Sequence, residues 1–204
     1  MTHDPRTLMR RKDRAVTDEA WIRAFLHRAP VGVLATAEDA QPFITNNLFA
    51  YDETAHCLIM HTALKGRART VIEANPRVCF SVMEMGRLLP AAESLEFSVE
   101  YASVVVFGRA YIVADHADAT RYLQLLMDKY APHLTPGQDY RPPVDSEVRR
   151  TSVFRIDIEA WSGKKKEAAA DFPGAYWYAS PPMLASLAAR GGEDESSVDD
   201  SITF

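Results

Sequence analysis

VGVLATAEDAQPFITNNLFAYDETAHCLIMHT, residues 31–62, is the stretch on which the fold turns. Its apolar residues recur with a period of two in three runs, 31–36, 43–51 and 56–62, and polar or turn-prone pairs break them at Glu38-Asp39 and Asp52-Glu53. A period of two puts alternate side chains on opposite faces, which is strand rather than helix geometry. Short strands joined this tightly form antiparallel hairpins.

Working outward, the residues before Val31 switch to a 3.6-residue period. Thr17 can cap a helix whose buried stripe is Trp21, Ile22, Phe25, Leu26 and Ala29, and Pro30 ends it. After Thr62 a short helix is expected over 68–74, stopped by Asn75-Pro76. Strands follow over 78–85 and 95–113, the second bent at Ala102-Ser103 or Gly108. Asp115 or Asp118 can start a helix reaching Tyr130, with Ala119, Tyr122, Leu123, Leu126 and Tyr130 on one face. A proline-rich loop, 132–143, leads to a last strand over 151–161, where Phe154, Ile156 and Ile158 alternate with Arg155, Asp157 and Glu159. Six or seven strands, three sizeable helices and no strand–helix alternation give a mainly β fold, a β-barrel with peripheral helices. A barrel of this size is filled by its own side chains, so a planar ligand would lie in an outer groove or at a subunit interface.

The organisation expected is a basic arm over 1–16, a barrel domain over 17–166 and a tail over 167–204. The arm carries Arg6, Arg10, Arg11, Lys12 and Arg14; the tail is aromatic over 172–178, able to pack on the body or a partner, and acidic and disordered over 191–200. The 204 residues carry a formal net charge of −5, which argues against a surface that tracks a nucleic-acid backbone and makes any anion site local. Cys57 and Cys79 lie inside apolar runs and lack metal-ligand spacing, so neither a disulfide nor a metal site is expected. No uninterrupted apolar span suggests a membrane segment, and the expected setting is the cytoplasm. Hydrolase signatures, whether a Gly-x-Ser-x-Gly elbow or a well-placed carboxylate pair, are not found.

The chemistry concentrates in the segment HTALKGRAR, residues 61–69. A strand ends in a hydroxyl, a glycine turn and three cations, and a helix then begins. A phosphate there could accept from Thr62, Lys65 and Arg67 and from backbone N–H groups around Gly66 at the helix N-terminus. Spacing alone fits a solvated basic turn equally well. His61 could serve a ligand as a donor or acid near neutral pH, or simply pack. Phe43, Ile44, Thr45, Asn46 and Asn47 offer amides and a hydroxyl for the edge of a heteroaromatic ring, or form a polar barrel lip. Trp161, Ser162, Gly163 and Lys164 close the last strand with an aromatic plate, a turn and the first of three lysines; the alternative is a solvated strand end.

Several of these segments, in order over residues 11–166, carry a family resemblance: RKDRAV at 11–16, VGVLAT at 31–36, QPFIT at 41–45, MHTA at 60–63 through Gly66-Arg67, NPRVCF at 75–80, YASVVVFG at 101–108 and WSGK at 161–164. The chain resembles the pyridoxamine 5'-phosphate oxidase-like FMN-binding split-barrel proteins, and among them the 5-nitroimidazole-resistance branch. The resemblance implies a six-stranded antiparallel, Greek-key-like split barrel that forms a homodimer, with FMN at the subunit interface. It implies that Phe43, Ile44, Thr45, Asn46 and Asn47 line the isoalloxazine, that His61 and Thr62 meet the flavin, and that Lys65, Gly66 and Arg67 meet its phosphate. Ser103, Trp161, Ser162 and Lys164 would approach from neighbouring strands or from the second subunit, and the basic arm would cross the dimer. The implied activity is oxidoreduction of a small molecule, a nitroimidazole, with His61 as the catalytic residue. The rival is a flavin- or haem-binding module that stores, senses or delivers its ligand. The C-terminal arginine and histidine with which pyridoxamine-phosphate oxidases grip their vitamin have no match here.

Overall fold

The computed structural model describes residues 4–178, which contain eight strands and four helices. In chain order they are β1 (Ala15–Val16), α1 (Glu19–Arg28), β2 (Gly32–Glu38), β3 (Gln41–Asn47), β4 (Ala50–Asp52), β5 (Cys57–Ala63), α2 (Arg67–Ala74), β6 (Arg77–Leu89), β7 (Ser98–Ile112), α3 (His116–Tyr130), α4 (Asp145–Val148) and β8 (Thr151–Lys166). The chain divides into two compact units. The larger holds residues 4–84 and Ala102–Lys165; the smaller holds Met85–Tyr101 and, of the described residues, 166–178.

The strands form one sheet in the order β3-β2-β6-β7-β8-β5-β4, with β1 paired to β8. The class is the expected one, mainly β and antiparallel, with eight strands in place of six. The two extra strands are short: β1 is a piece of the basic arm, and β4 is split from β3 at Leu48-Phe49. The arm, expected to cross a dimer, pairs with its own chain through Ala15 opposite Lys164 and Val16 opposite Gly163.

Within the larger unit the sheet wraps around one core. Leu34 of β2, Leu58 and Met60 of β5, Phe80 and Val82 of β6, Val104 and Val106 of β7, and Phe154 and Ile156 of β8 belong to a single buried cluster with Phe25 and Leu26 of α1. Phe49, at the entry to β4, and Phe80 of β6 have ring centroids 4.9 Å apart. Their strands stand four places apart in the sheet, about 19 Å if it were flat at the usual strand spacing of about 4.8 Å. Only a curled sheet brings them together.

A second cluster lies on the outer side of β4, β5 and β8, where Ile59, Cys57 and Val153 pack under Tyr122 and Leu126 of α3 and Val148 of α4. That is why β5 is buried on both faces from Cys57 to Met60. Gly108 of β7 permits the close approach of β8, since a Cβ there would stand 2.1 Å from the Asp157 carbonyl oxygen. The expected bend at this glycine is not seen as a strand break; β7 runs unbroken through it.

Helix limits follow the caps. Asp18, not Thr17, caps α1 by accepting from the Ala20 N–H, and Asp115 caps α3 by accepting from the Asp118 N–H. β8 continues five residues past the expected end at Trp161, so the segment read as a turn over 161–164 is extended strand. In the smaller unit, the Arg87 guanidinium donates to both Glu100 carboxylate oxygens and to the carbonyls of Ala168, Ala169 and Ala170. Leu88 and Tyr176 exchange two backbone hydrogen bonds, so the aromatic segment is tied there. The acidic stretch 191–200 lies outside the described residues.

Candidate functional site

A tight hairpin places the first wall. Glu38 pairs with Gln41, and the two residues between them, Asp39 and Ala40, have φ of 47° and 65°, the left-handed pair that a two-residue type I′ turn requires. The register that follows sets Thr36 opposite Phe43, Leu34 opposite Thr45 and Gly32 opposite Asn47. Directly opposed residues share a face, so Phe43, Thr45 and Asn47 look to the same side as buried Leu34 and Thr36. Ile44 and Asn46 look outward and are exposed. The five residues therefore cannot all line one face of a ring. The structure divides them three and two.

β5 supplies the second wall. It pairs with β4 only from Cys57 to Ile59, which leaves its edge free from Met60 onward. β3 ends the sheet order and is paired only with β2. These two free edges face each other without a hydrogen-bonded ladder: the Asn47 amide nitrogen lies 4.0 Å from the Met60 sulfur at one end, and the Arg67 guanidinium carbon lies 4.5 Å from the centre of the Phe43 ring at the other. The barrel is split here, and the split runs into the turn between β5 and α2.

That turn has the features of an anion cradle. Among the described residues, Lys65 has no hydrogen-bond or ion-pair partner, and Arg67 touches only the Phe43 face. Gly66 precedes α2 without a side-chain cap, and a Cβ on it would meet nothing within 4 Å. The first-turn N–H groups of α2 thus have no acceptor from a capping side chain, and the helix dipole adds partial positive charge at the same place. Arg69 is different: it donates to Ser152 Oγ at 3.0 Å and to Glu73 at 3.0 Å. Of the three cations read from the sequence, two are available and one is engaged. The Thr62 hydroxyl donates to the Ala63 carbonyl at 3.0 Å, and its oxygen still has a lone pair to offer.

His61 and Thr62 point to opposite faces of β5. Thr62 opposes Ser152 on the core side, while His61 opposes Val153 on the side covered further along by α3. The His61 side chain is open to solvent at the strand's end, yet the protein crowding its inner side holds the imidazole below its usual pKa; no charged neighbour contributes. His61 is therefore largely neutral at pH 7, one ring nitrogen donating and the other accepting.

Ser103, Trp161, Ser162 and Lys164 do not join this group within one chain. His61 stands opposite Val153, and Trp161 lies eight residues farther along β8, about 26 Å at 3.3 Å per residue. The β7–β8 register, fixed by Gly108 against Asp157 and by the Val113 N–H on the Val153 carbonyl, carries Ser103 to the level of residues 162–163. The four residues form a second group at the opposite end of β8. The Trp161 ring is engaged there by His56 at 4.7 Å, edge to face, and by the Arg23 guanidinium at 5.3 Å. A cavity of about 400 Å³ beside it is walled by Arg23, Glu53, His56 and Trp161 rather than by the split.

Among the described residues, the outer face of β3, β2 and β6 carries several exposed apolar side chains. Its exposed residues include Ile44 at 68% and Met83 at 67% of full exposure, with Val31 and Leu48 also open. Among the described residues no group of three or more His, Cys, Asp and Glu side chains could hold a metal ion, and no helix is long and apolar enough to cross a membrane.

The family model described as pyridoxamine 5'-phosphate oxidase matches residues 18–165. The chain belongs to the pyridoxamine 5'-phosphate oxidase family. This is a family of flavin-binding proteins. Among solved structures, the flavocytochrome Anf3 from Azotobacter vinelandii aligns with a TM-score of 0.72 at 22% identity, over 98% of this chain and 94% of that one. An FAD and heme binding protein from Mycobacterium smegmatis aligns with a TM-score of 0.69 at 20% identity, over 85% and 80%. A putative 5-nitroimidazole antibiotic resistance protein from Bacteroides thetaiotaomicron aligns with a TM-score of 0.62 at 18% identity, over 75% and 90%. At these identities the likeness is one of fold. No curated protein matches the sequence.

The split offers groups that suit a flavin nucleotide. Such a flavin has anionic phosphate at one end and a ring with donors and acceptors along its edge at the other. The unpartnered Lys65, Arg67 and the uncapped start of α2 suit the first; the free backbone edge of β3 with Thr45 suits the second.

Proposed function

We propose that this protein is an FMN-dependent oxidoreductase of the nitroimidazole-reductase type, acting as a homodimer. The observation that carries the cofactor assignment is the cradle at the β5–α2 turn: two cations with no acidic partner among the described residues, beside a helix start with no cap. In the folded protein, cations left without acidic partners at a helix N-terminus form a site for an anion of fixed position. Lys65, Gly66, Arg67 and Thr62 hold the phosphate. Phe43, Thr45 and Asn47 and the β3 backbone edge hold the ring; Ile44 and Asn46, on the outer face, reach a flavin only where a second subunit lies against that face.

The homodimer rests on the exposed apolar side chains Ile44 and Met83, with Val31 and Leu48, on the outer face of β3, β2 and β6 and on the separation of the two residue groups. Ser103, Trp161, Ser162 and Lys164 lie too far from His61 to share a ligand with it in one chain, so a second subunit brings them to the split. Two unpaired thiols, Cys57 and Cys79, suit a reducing cytoplasm.

The bound flavin supplies electrons to the substrate. The protein's part is to hold the ring, exclude water and deliver a proton. The protonated form of His61 is the proton donor, and the protein crowding its inner side, which holds its pKa down, makes that imidazolium a stronger acid. Purified protein mixed with FMN, chemically reduced and offered a nitroimidazole without oxygen tests the activity. Loss of the nitro absorbance supports the reductase; unchanged absorbance over many hours refutes it.

A second reading has an observation of its own: two solved structures of the same fold are a flavocytochrome and an FAD and heme binding protein. A haem-binding module would shift and sharpen the Soret band of added haem. A nitroreductase that binds flavin alone would leave the band where free haem has it.

A further inference from the structure

Arg69 looks in the sequence like a third phosphate ligand, but its guanidinium is spent inside the protein. We infer that Arg69 and Ser152 are positioning residues that hold the β5–α2 turn preformed for a phosphate. This rests on the flavin-phosphate reading of the turn and deepens it.

Ser152 is the hub. It is 1% exposed, accepts from Arg69 Nη1 at 3.0 Å and donates to the Leu64 carbonyl oxygen at 3.2 Å. A planar trans peptide points its C=O and N–H in opposite directions. Fixing the Leu64 oxygen inward on a buried hydroxyl therefore turns the Lys65 N–H away from the protein interior. Arg69 completes the bracket from the first turn of α2, and Glu73, one turn on, holds its Nε at 3.0 Å. β5, the start of β8 and α2 are thus joined through one hydroxyl, around residues 64–66, the three that link β5 to α2. A turn held this way keeps its N–H groups aimed before an anion arrives, which removes the ordering cost from binding.

A bracket of this kind serves the phosphate and not the ring. The test compares FMN with riboflavin, which has the same ring and no phosphate, by fluorescence titration of the full-length protein. In Ser152→Ala, FMN affinity falls by about tenfold, the usual value of a lost hydrogen bond of this sort, while riboflavin affinity holds within about twofold. Arg69→Met, which keeps the aliphatic stem, gives the same selective loss and serves where Ser152→Ala does not fold. In the double variant the loss is no larger than that of the worse single variant, because both residues act through one hydroxyl. If native protein prefers FMN and the variants keep that preference undiminished, the bracket is refuted and the phosphate site stands. Additive losses also refute it and make Arg69 a direct ligand. Native protein that binds FMN and riboflavin equally refutes the phosphate site and the bracket with it.

Discussion

Replacing Lys65 and Arg67 together with alanine should remove most of the affinity for the phosphate while leaving the fold intact. Lys65 has no partner to lose within the described residues, and Arg67 gives up only its contact with the Phe43 face, 4.5 Å from guanidinium to ring centre. An exposed cation–π contact contributes about 0.5–1 kcal/mol, so the melting temperature should move little. Each charge-assisted bond to a phosphate contributes about 1.5–3 kcal/mol, and two of them about 3–6 kcal/mol. At about 1.4 kcal/mol per tenfold, FMN binding should weaken by about two to four orders of magnitude, nearer the lower figure because both side chains are exposed. Fluorescence titration with FMN measures the loss, and the same titration with riboflavin supplies the control. Riboflavin affinity should stay nearly constant. Equal losses for both ligands would mean that the pair shapes the ring site or the fold, and no loss for either would move the phosphate elsewhere.

Gly108→Ala should destabilise the larger unit by more than about 1 kcal/mol, measured by chemical denaturation, because the new Cβ would stand 2.1 Å from the Asp157 carbonyl oxygen. Ala40→Gly should stabilise it by roughly 0.5–1 kcal/mol, because Ala40 holds φ of 65° in the hairpin turn; no gain would argue against the turn as described. Lys129→Ala should cost about 1–3 kcal/mol, since its ammonium donates to the carbonyls of Ala29 at 2.8 Å and Leu26 at 3.4 Å and lies 3.7 Å from the Phe49 ring centre. If protonated His61 supplies the proton, the rate of nitro reduction should fall as pH rises through a midpoint below 6.5, because burial lowers the imidazole pKa from that value. A midpoint above 6.5, or an unchanged profile in His61→Gln, would remove His61 from that role.

The hairpins over 31–62 could be read from the sequence because short apolar runs are separated there by polar or turn-prone breaks. β1 leaves no signal in the sequence because two residues carry no period. The true end of β8 was hidden for a related reason: Ser162, Gly163 and the lysines after it look like a solvated turn, but pairing with β1 keeps the strand going. The phosphate cradle was visible as a run of cations, yet the run could not say which of them are free. Separating Arg69 from Lys65 and Arg67 takes Ser152, which is 83 residues away in sequence. Likewise, the amides and hydroxyl of the run from Phe43 to Asn47 are visible in the sequence, and only the pairing register divides the residues facing the split from those facing outward. Trp161 is an aromatic plate near the end of a strand in both views, but in this chain its ring is already occupied by His56 and Arg23.

The central claim is that the split between β3 and β5 holds a flavin by its phosphate. Equilibrium dialysis of the purified protein against FMN, read by the visible absorbance of the retained flavin, tests it most directly. One flavin per chain, displaced by excess FMN but not by the same concentration of riboflavin, is the expected result. A colourless protein that retains no flavin at any concentration, or one that gives up FMN to riboflavin as readily as to FMN itself, would contradict it.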